Sequence, residues 1–211
     1  MILVRVVAIL TSSIDSLKPL AEVVARDESW RFFGDRTLEQ HHGLIEKYAL
    51  HAGVPATVTQ HYENARNTWL YSFFSYRLLQ VAILQVHLAG EVAINERAKL
   101  EGINPKKKLV DLLEVALEKR WLLDANFEVT AERRQREAEH LEMLRFMGAP
   151  AEPFVGPIHE QDYAKELIGA FRKIRNALAH GEVILKPNLG WEFLAVRDLI
   201  NQLFPCSEDV L

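Results

Sequence analysis

The chain has 211 residues, of which 49% are hydrophobic, and its formal net charge is −4. This balance fits one ordinary soluble domain with a small appendage, and it excludes a protein that coats nucleic acid nonspecifically, because such binding depends on many neutralised phosphates. The single cysteine, Cys206, excludes a disulfide framework within the chain, so a cytoplasmic location is expected.

Residues 1–56 are predicted to form a small N-terminal helical extension. They open with an apolar segment that contains Arg5 and lacks the cleavage pattern of a signal peptide. A helix is expected to begin after Thr37, whose hydroxyl can cap a helix N-terminus, and to continue to about Gly53.

One very long helix is predicted over residues 59–100, because this stretch has no proline and its apolar residues recur near helical spacing. At about 1.5 Å per residue it would be roughly 60 Å long, with any bend at Gly90. Its most apolar part, residues 69–94, is interrupted by polar and charged side chains too often for a membrane span. It is interpreted as a buried or dimer-forming helix, and no membrane contact is expected.

A shorter helix is predicted to begin at Asn104-Pro105, a capping residue followed by proline at the first helical position. It has an apolar stripe that is expected to pack on the long helix: Leu109, Leu112, Leu113, Ala116 and Leu117. A polar, charge-dense helix is predicted over about residues 130–147. Residues 148–157 hold three prolines and two glycines and are predicted to form a loop.

The last two helices are predicted over about residues 158–180 and 191–204. The first has an apolar stripe at steps of four, four, three and four residues, namely Tyr163, Leu167, Phe171, Ile174 and Leu178. The second is expected to bury Leu194, Leu199, Ile200 and Leu203. The expected fold class is therefore all-α.

The end of the penultimate helix carries the main candidate site, Arg175-Asn176-Ala177-Leu178-Ala179-His180-Gly181. On a wheel at about 100° per residue, Arg172, Asn176 and His180 lie on one line that points away from the apolar stripe. His180 is therefore predicted not to be a core histidine. Arg175 does not share this line, but its side chain is long and the glycine frees the last turn, so it can reach the same bound group.

These residue types suit phosphate chemistry without a metal ion or another cofactor. Arg175 offers a planar fork of donors to phosphate oxygens, and Asn176 can orient either partner. His180 can move a proton near neutral pH. Arg172 and Lys173 are candidate contacts to the substrate backbone. Such a set is suited to cleaving RNA by attack of its own 2′-hydroxyl on the neighbouring phosphorus.

Arg175-Asn176 followed by Ala179-His180-Gly181, on the penultimate helix behind a long antiparallel helix pair, resembles the R-x4-6-H motif of the HEPN superfamily. The resemblance covers about residues 57–211 and implies a HEPN-like helical bundle. It also implies a homodimer whose two motifs meet in one composite cleft and act as a metal-independent endoribonuclease on RNA. Many such proteins are toxins of toxin–antitoxin or phage-defence systems, often encoded beside a nucleotidyltransferase-like antitoxin.

A second hypothesis is a non-catalytic HEPN-like module that binds a nucleotide or RNA and acts as a sensor or complex scaffold. Some members of the superfamily have lost catalysis and only bind nucleotides, and in that case the motif would hold a phosphate. A third interpretation makes the motif a solvated helix end in a purely structural dimer.

The remaining candidates have simpler interpretations. Glu137 and His140 have the spacing of a di-iron helix pair, but such a site needs a second pair and two further carboxylates from other helices, so no metal site is expected. His41 and His42 diverge on a helix and are interpreted as surface histidines. Cys206 lies in a polar tail without a base near it in the sequence, which makes it a poor nucleophile.

Two clusters of positive charge could either contact RNA or be ordinary surface features. Lys106-Lys107-Lys108 opposes the dipole at a helix start, so these lysines either contact RNA or form a solvated patch. Arg133, Arg134 and Arg136 alternate with glutamates and are interpreted as a salt-bridged exposed face rather than an RNA contact.

Overall fold

The computed structural model describes residues 16–103, 108–146, 161–180 and 189–206. These ranges contain seven α-helices and no strand, which confirms the all-α class. The helices are α1 (Leu38–Glu46), α2 (Ala56–Tyr71), α3 (Leu78–Leu100), α4 (Leu109–Glu118), α5 (Glu128–Phe146), α6 (Asp162–Ala179) and α7 (Gly190–Leu203). Short 3₁₀ helices lie at Leu20–Glu22, Glu28–Phe32 and Asp124–Asn126.

Helix α3 is the centre of the bundle and contacts α2, α4, α6 and α7. Its inner face is small and aliphatic and almost fully buried, comprising Leu79, Ala82, Ile83, Val86, Ala89, Ala93 and Ile94. By length and composition α3 could cross a membrane, but 50% of its most apolar window is buried inside the protein. The buried inner face of α3 favours the first of the two interpretations, a buried helix, and it is compatible with a soluble protein.

The predicted stripes of the shorter helices are largely confirmed. Helix α4 buries Leu112, Leu113 and Ala116 and packs on α3, as expected. Helix α7 buries Leu199, Ile200 and Leu203, with Leu194 half-buried. The predicted helix start at Asn104-Pro105 and the predicted loop over residues 148–157 lie outside the described residues.

The prediction of one continuous helix over residues 59–100 is wrong. The chain turns between Tyr71 and Leu78, and the two halves, α2 and α3, pack against each other as an antiparallel hairpin. The turn contains neither proline nor glycine, so no local signal marks it. Its cause is a set of contacts from a distant part of the chain.

Residues before α1 hold this turn by hydrogen bonds to its backbone. Asp27 accepts a hydrogen bond from the Tyr76 N–H through Oδ2 at 2.8 Å, and its own N–H donates to the Phe73 carbonyl at 2.9 Å. The buried indole of Trp30 donates to the Ser72 carbonyl at 2.9 Å. Backbone groups of the turn are thus satisfied by side chains and by one backbone N–H of the N-terminal segment.

The N-terminal extension therefore contributes to the main core. Helix α1 begins after Thr37, as predicted, with a reciprocal capping box between Thr37 and Gln40, but it ends at Glu46 rather than near Gly53. Trp30, Ile45 and Val54 belong to the same buried cluster as the residues of α2, α3 and α7. The division into residues 1–56 and 57–211 stays a prediction.

The interpretation of His41 as a surface histidine is wrong, whereas His42 is exposed. His41 is fully buried, and its Nε2 lies 3.0 Å from the Trp69 carbonyl, which can only accept, so Nε2 carries the proton. The Trp30 ring meets the imidazole edge to face at 5.2 Å. The segment that holds the α2–α3 turn also covers this face of α1.

We expect His41 to make the protein less stable in mild acid. Burial holds the pKa of His41 below its ordinary value of 6.5, although the hydrogen bond to Trp69 opposes this shift. Below about pH 6.5 the unfolded chain therefore binds more protons than the folded one, and the free energy of unfolding falls with falling pH. Urea unfolding between about pH 5 and pH 8 should show a shallower pH dependence for His41→Gln than for the wild type, and an unchanged one for His42→Gln. If the free energy of unfolding depended on pH equally in the wild type and in His41→Gln, His41 would not be the source of the acid sensitivity.

Helix α3 runs through Gly90 without interruption. The glycine permits close packing of α6, because a Cβ at this position would lie 2.7 Å from Cε1 of Phe171 and 3.5 Å from Cγ1 of Val196. Phe171 is 2% exposed and cannot move aside without disturbing the core.

Gly90→Ala is accordingly expected to destabilise the protein by about 1–2 kcal/mol, since overpacking outweighs the better helix propensity of alanine. Gly169→Ala on α6 is the matched control, because a Cβ there meets nothing within 4 Å. It should stabilise the protein by about 0.5–1 kcal/mol. Chemical denaturation measures the change in the free energy of unfolding for each variant. If the two changes had the same sign, the packing argument would be refuted.

Candidate functional site

The first turn of α6 is held by a buried carboxylate from outside the helix. Asp124 is fully buried and accepts hydrogen bonds from the N–H groups of Tyr163, at 2.8 Å, and Ala164, at 3.0 Å. Gln161 adds a bond from its Nε2 to the Leu117 carbonyl at 2.7 Å. A carboxylate at a helix N-terminus satisfies free donors and is favoured by the helix dipole. The position of α6 in the bundle is thereby defined from its start.

The apolar face of α6 then sets the rotation of the helix about its axis. Leu167 and Phe171 are buried, and Tyr163 and Ile174 pack against the core from its edge, as the sequence stripe predicted. The Phe171 ring meets the His87 ring at 4.6 Å in an edge-to-face arrangement. The side chain of Leu178 lies outside the described part of the structure.

With the inner face anchored, the opposite face of α6 carries the polar residues of the motif. Lys173, Asn176 and His180 are all exposed, which confirms that His180 is not a core histidine. Helix α6 ends at Ala179, and the His180 N–H donates to the Asn176 carbonyl at 2.9 Å. Asn176 and His180 therefore share one accessible line at the carboxyl end of the helix.

The structure describes part of the motif only. The backbone of Arg172 and Arg175 lies within α6, but their side chains are outside the described part, as is all of Gly181. The convergence of Arg175 with His180 consequently stays a prediction, and so do the roles of Arg172 and Lys173.

The carboxyl end of a helix favours a cation, because the partial negative charge of the unpaired carbonyls is concentrated there. The imidazole of His180 and the amide of Asn176 are both exposed, and each can donate a hydrogen bond to a ligand or accept one from it. Asn176 and His180 are thus placed where a ligand can reach both of them from solvent.

Two other histidines are less suited to this role. His41 and His87 are buried, and His87 Nδ1 lies 2.8 Å from the Ile83 carbonyl. Among the described residues no group of three or more histidine, cysteine, aspartate or glutamate side chains is placed to hold a metal ion. The side chains of Glu137 and His140 lie outside the described part, as do those of Arg133, Arg134 and Arg136.

Two features escaped prediction because they join distant parts of the chain. His51 Nδ1 lies 3.2 Å from the Cys206 sulfur, although the two residues are 155 positions apart. The same Nδ1 accepts the Gly53 N–H at 3.0 Å. Asp124 likewise acts on α6 from 39 and 40 positions away. No local pattern in the sequence indicated these partners.

No protein-family model matches this chain, and comparison with curated proteins and with solved structures finds no similar protein. The resemblance to the HEPN superfamily therefore rests on the residues of the motif and their helical setting. It remains a prediction.

Proposed function

We propose that this protein is a cytoplasmic, metal-independent endoribonuclease of the HEPN type, a toxin of a toxin–antitoxin or phage-defence system. The observation that carries the proposal is the exposure of Asn176 and His180 on one line at the carboxyl end of α6. A histidine retained for packing would lie on the buried face of this helix, and His180 does not.

In the proposed reaction, two histidines act on one phosphodiester. His180 accepts the proton of the RNA 2′-hydroxyl as O2′ attacks phosphorus, and the partner's His180 donates a proton to the departing 5′-oxygen. The P–O5′ bond breaks, which leaves a 2′,3′-cyclic phosphate and a 5′-hydroxyl. Arg175 holds the phosphate oxygens and stabilises the charge that develops on them, and Asn176 positions the reacting groups.

The mechanism requires a homodimer, and an apolar stripe on α3 supports one. Val81, Leu84 and Leu88 are 41%, 40% and 45% exposed and lie three and four residues apart, on one face of the helix. Single exposed apolar residues are common, but an aligned group is a candidate contact surface. If light scattering showed a monomer at micromolar concentration, the proposed composite site could not form.

The proposal is tested by incubating purified full-length protein with RNA in excess EDTA. We expect cleavage to persist and the products to carry 2′,3′-cyclic phosphate and 5′-hydroxyl ends. A His180→Ala preparation purified in parallel controls for contaminating nucleases. Cleavage that disappears on rigorous chelation, or products with 5′-phosphate ends, would refute the mechanism.

The non-catalytic hypothesis gives a different result in the same assay. A nucleotide- or RNA-binding module would bind RNA without cutting it, and Arg175→Ala and His180→Ala would lose affinity. Growth arrest on expression of the wild type, relieved by His180→Ala, would favour the toxin.

A further inference from the structure

A polar cavity of about 560 Å³ lies between α3, α7 and the chain that follows α4, and no described residue of α6 lines it. Its wall includes His51, Arg97, Arg120, Trp121, Asn126, Asp198, Asn201, Gln202 and Pro205. This volume is within the range of small-molecule sites, about 300–1,000 Å³. The proposed ribonuclease reaction makes no use of it.

Hydrogen-bond donors are in excess in this wall. Its one carboxylate, Asp198, is already satisfied: Oδ1 accepts from Arg197 Nη2 at 2.6 Å, and Oδ2 accepts the Glu128 N–H at 2.8 Å. Two arginines, Arg97 and Arg120, also line the cavity, and Arg97 pairs with Glu101 at 2.9 Å.

Two buried donors of this wall have no hydrogen-bond partner among the described residues, Arg97 Nε and Gln202 Nε2. The orientation of the Gln202 amide is settled by Leu123, whose N–H donates to Oε1 at 2.8 Å, so the other amide atom is the nitrogen. Buried donors without acceptors are unfavourable. An oxyanion in the cavity would supply acceptors after a small adjustment of either side chain.

The conformation of Arg120 is an independent indication. Arg120 has a φ of 57°, and within the described residues it is the one non-glycine residue with positive φ. It ends α4 in a Schellman arrangement, in which the Trp121 N–H donates to the Ala116 carbonyl and the Arg120 N–H donates to the Leu117 carbonyl. Helix α3 ends in the same arrangement with Gly102, at φ 69°, in the equivalent position.

Glycine is the residue that this position favours, and arginine adopts it at a cost in stability. Arg120 is one of the residues that line the cavity. Its neighbour Trp121 is covered by the guanidinium of Arg97, with 5.2 Å between Cζ and the ring centroid. A strained residue that presents a cation to a cavity indicates a binding role.

We propose that this cavity binds a small organic anion, whose phosphate or carboxylate group is held by Arg97, Arg120 and the amide of Gln202. Arginine is suited to both groups, because its planar fork matches two oxygens of either one.

The test is isothermal titration of the full-length protein with inorganic phosphate, AMP and citrate at constant ionic strength. At least one of these probes should bind saturably. Affinity should fall by about tenfold or more in Arg120→Gly and in Gln202→Glu. The glutamate keeps an oxygen for the Leu123 N–H but replaces the donor with a negative charge.

Arg120→Gly should at the same time leave the melting temperature unchanged or raise it by up to about 2–4 °C, because strain is removed. Such a variant separates loss of binding from loss of folding. Arg31→Gln is the control for net charge, since its side chain is 66% exposed and Arg31 does not line the cavity. It should bind as the wild type does.

Binding of none of the probes at millimolar concentration would overturn the proposal. So would wild-type affinity in both Arg120→Gly and Gln202→Glu. If His180→Ala instead abolished binding, the anion would belong to the candidate ribonuclease site, and the cavity assignment would be wrong. Failure of RNA cleavage leaves the cavity proposal unaffected.

Discussion

His180→Ala is expected to lower the rate of RNA cleavage by about 10²–10⁴-fold, the range over which a positioned acid or base contributes to catalysis. The variant removes both proton-transferring groups of the proposed dimer, because each protomer supplies one. Since His180 is exposed, its loss should change the free energy of unfolding by no more than about 0.5 kcal/mol. Initial rates on a labelled RNA, with thermal melts of the same samples, measure both quantities.

His42→Ala is the matched control for this variant, because His42 is also an exposed histidine but lies on α1. It should cleave at the wild-type rate. Asn176→Ala should reduce the rate less than His180→Ala, since the amide positions groups without transferring a proton. Undiminished cleavage by His180→Ala would eliminate the proposed mechanism.

Trp30→Ala is expected to destabilise the protein by about 3–5 kcal/mol, the range measured for truncating a buried tryptophan or phenylalanine. Trp30 is 2% exposed and packs against the rings of His41 and Tyr76 at 5.2 and 5.1 Å. Its loss also leaves the Ser72 carbonyl without the indole donor. The α2–α3 turn would lose both its cover and one of its hydrogen bonds, and urea unfolding followed by circular dichroism measures the effect.

Two variants separate the contributions of Trp30. Trp30→Phe keeps most of the apolar ring and removes the donor, so it should cost about 1–3 kcal/mol. Trp191→Ala truncates a tryptophan that is 42% exposed and should cost much less than Trp30→Ala. If Trp30→Ala and Trp191→Ala were equally stable, residues 16–37 would not hold the turn.

The amphipathic helices could be predicted because their signals are local. The stripe of α6, from Tyr163 to Ile174, follows from the 3.6-residue period, and the same period placed Asn176 and His180 on the outer face. Thr37 is likewise a local signal, because a capping box involves residues three apart. Where burial and backbone geometry depend on neighbours within one or two helical turns, the sequence was sufficient to predict them.

The turn between α2 and α3 could not be predicted in this way. Residues 72–77 contain no helix breaker, and the partners that end α2, Asp27 and Trp30, lie more than 40 residues earlier in the chain. The periodicity of apolar residues continues through the turn because both helices use it to face the same core. The prediction was therefore right that both halves of this segment are helical and wrong that they form one continuous helix.

His41 and Gly90 show the same limit. No residue next to His41 in the sequence indicates that the Trp30 ring will cover it. No residue next to Gly90 indicates that the Phe171 ring will pack so closely that a Cβ at position 90 would lie 2.7 Å from its Cε1. The cavity between α3, α7 and the chain that follows α4 is also a product of tertiary packing.

The sequence by itself determined the all-α class, the buried faces of the helices and the exposure of His180, because each depends on periodicity along one helix. Only the tertiary structure decided where α2 ends, what His41 and Gly90 contact, and which donors surround the cavity. Those features depend on groups brought together across long loops, and no local pattern in a single sequence carries that pairing.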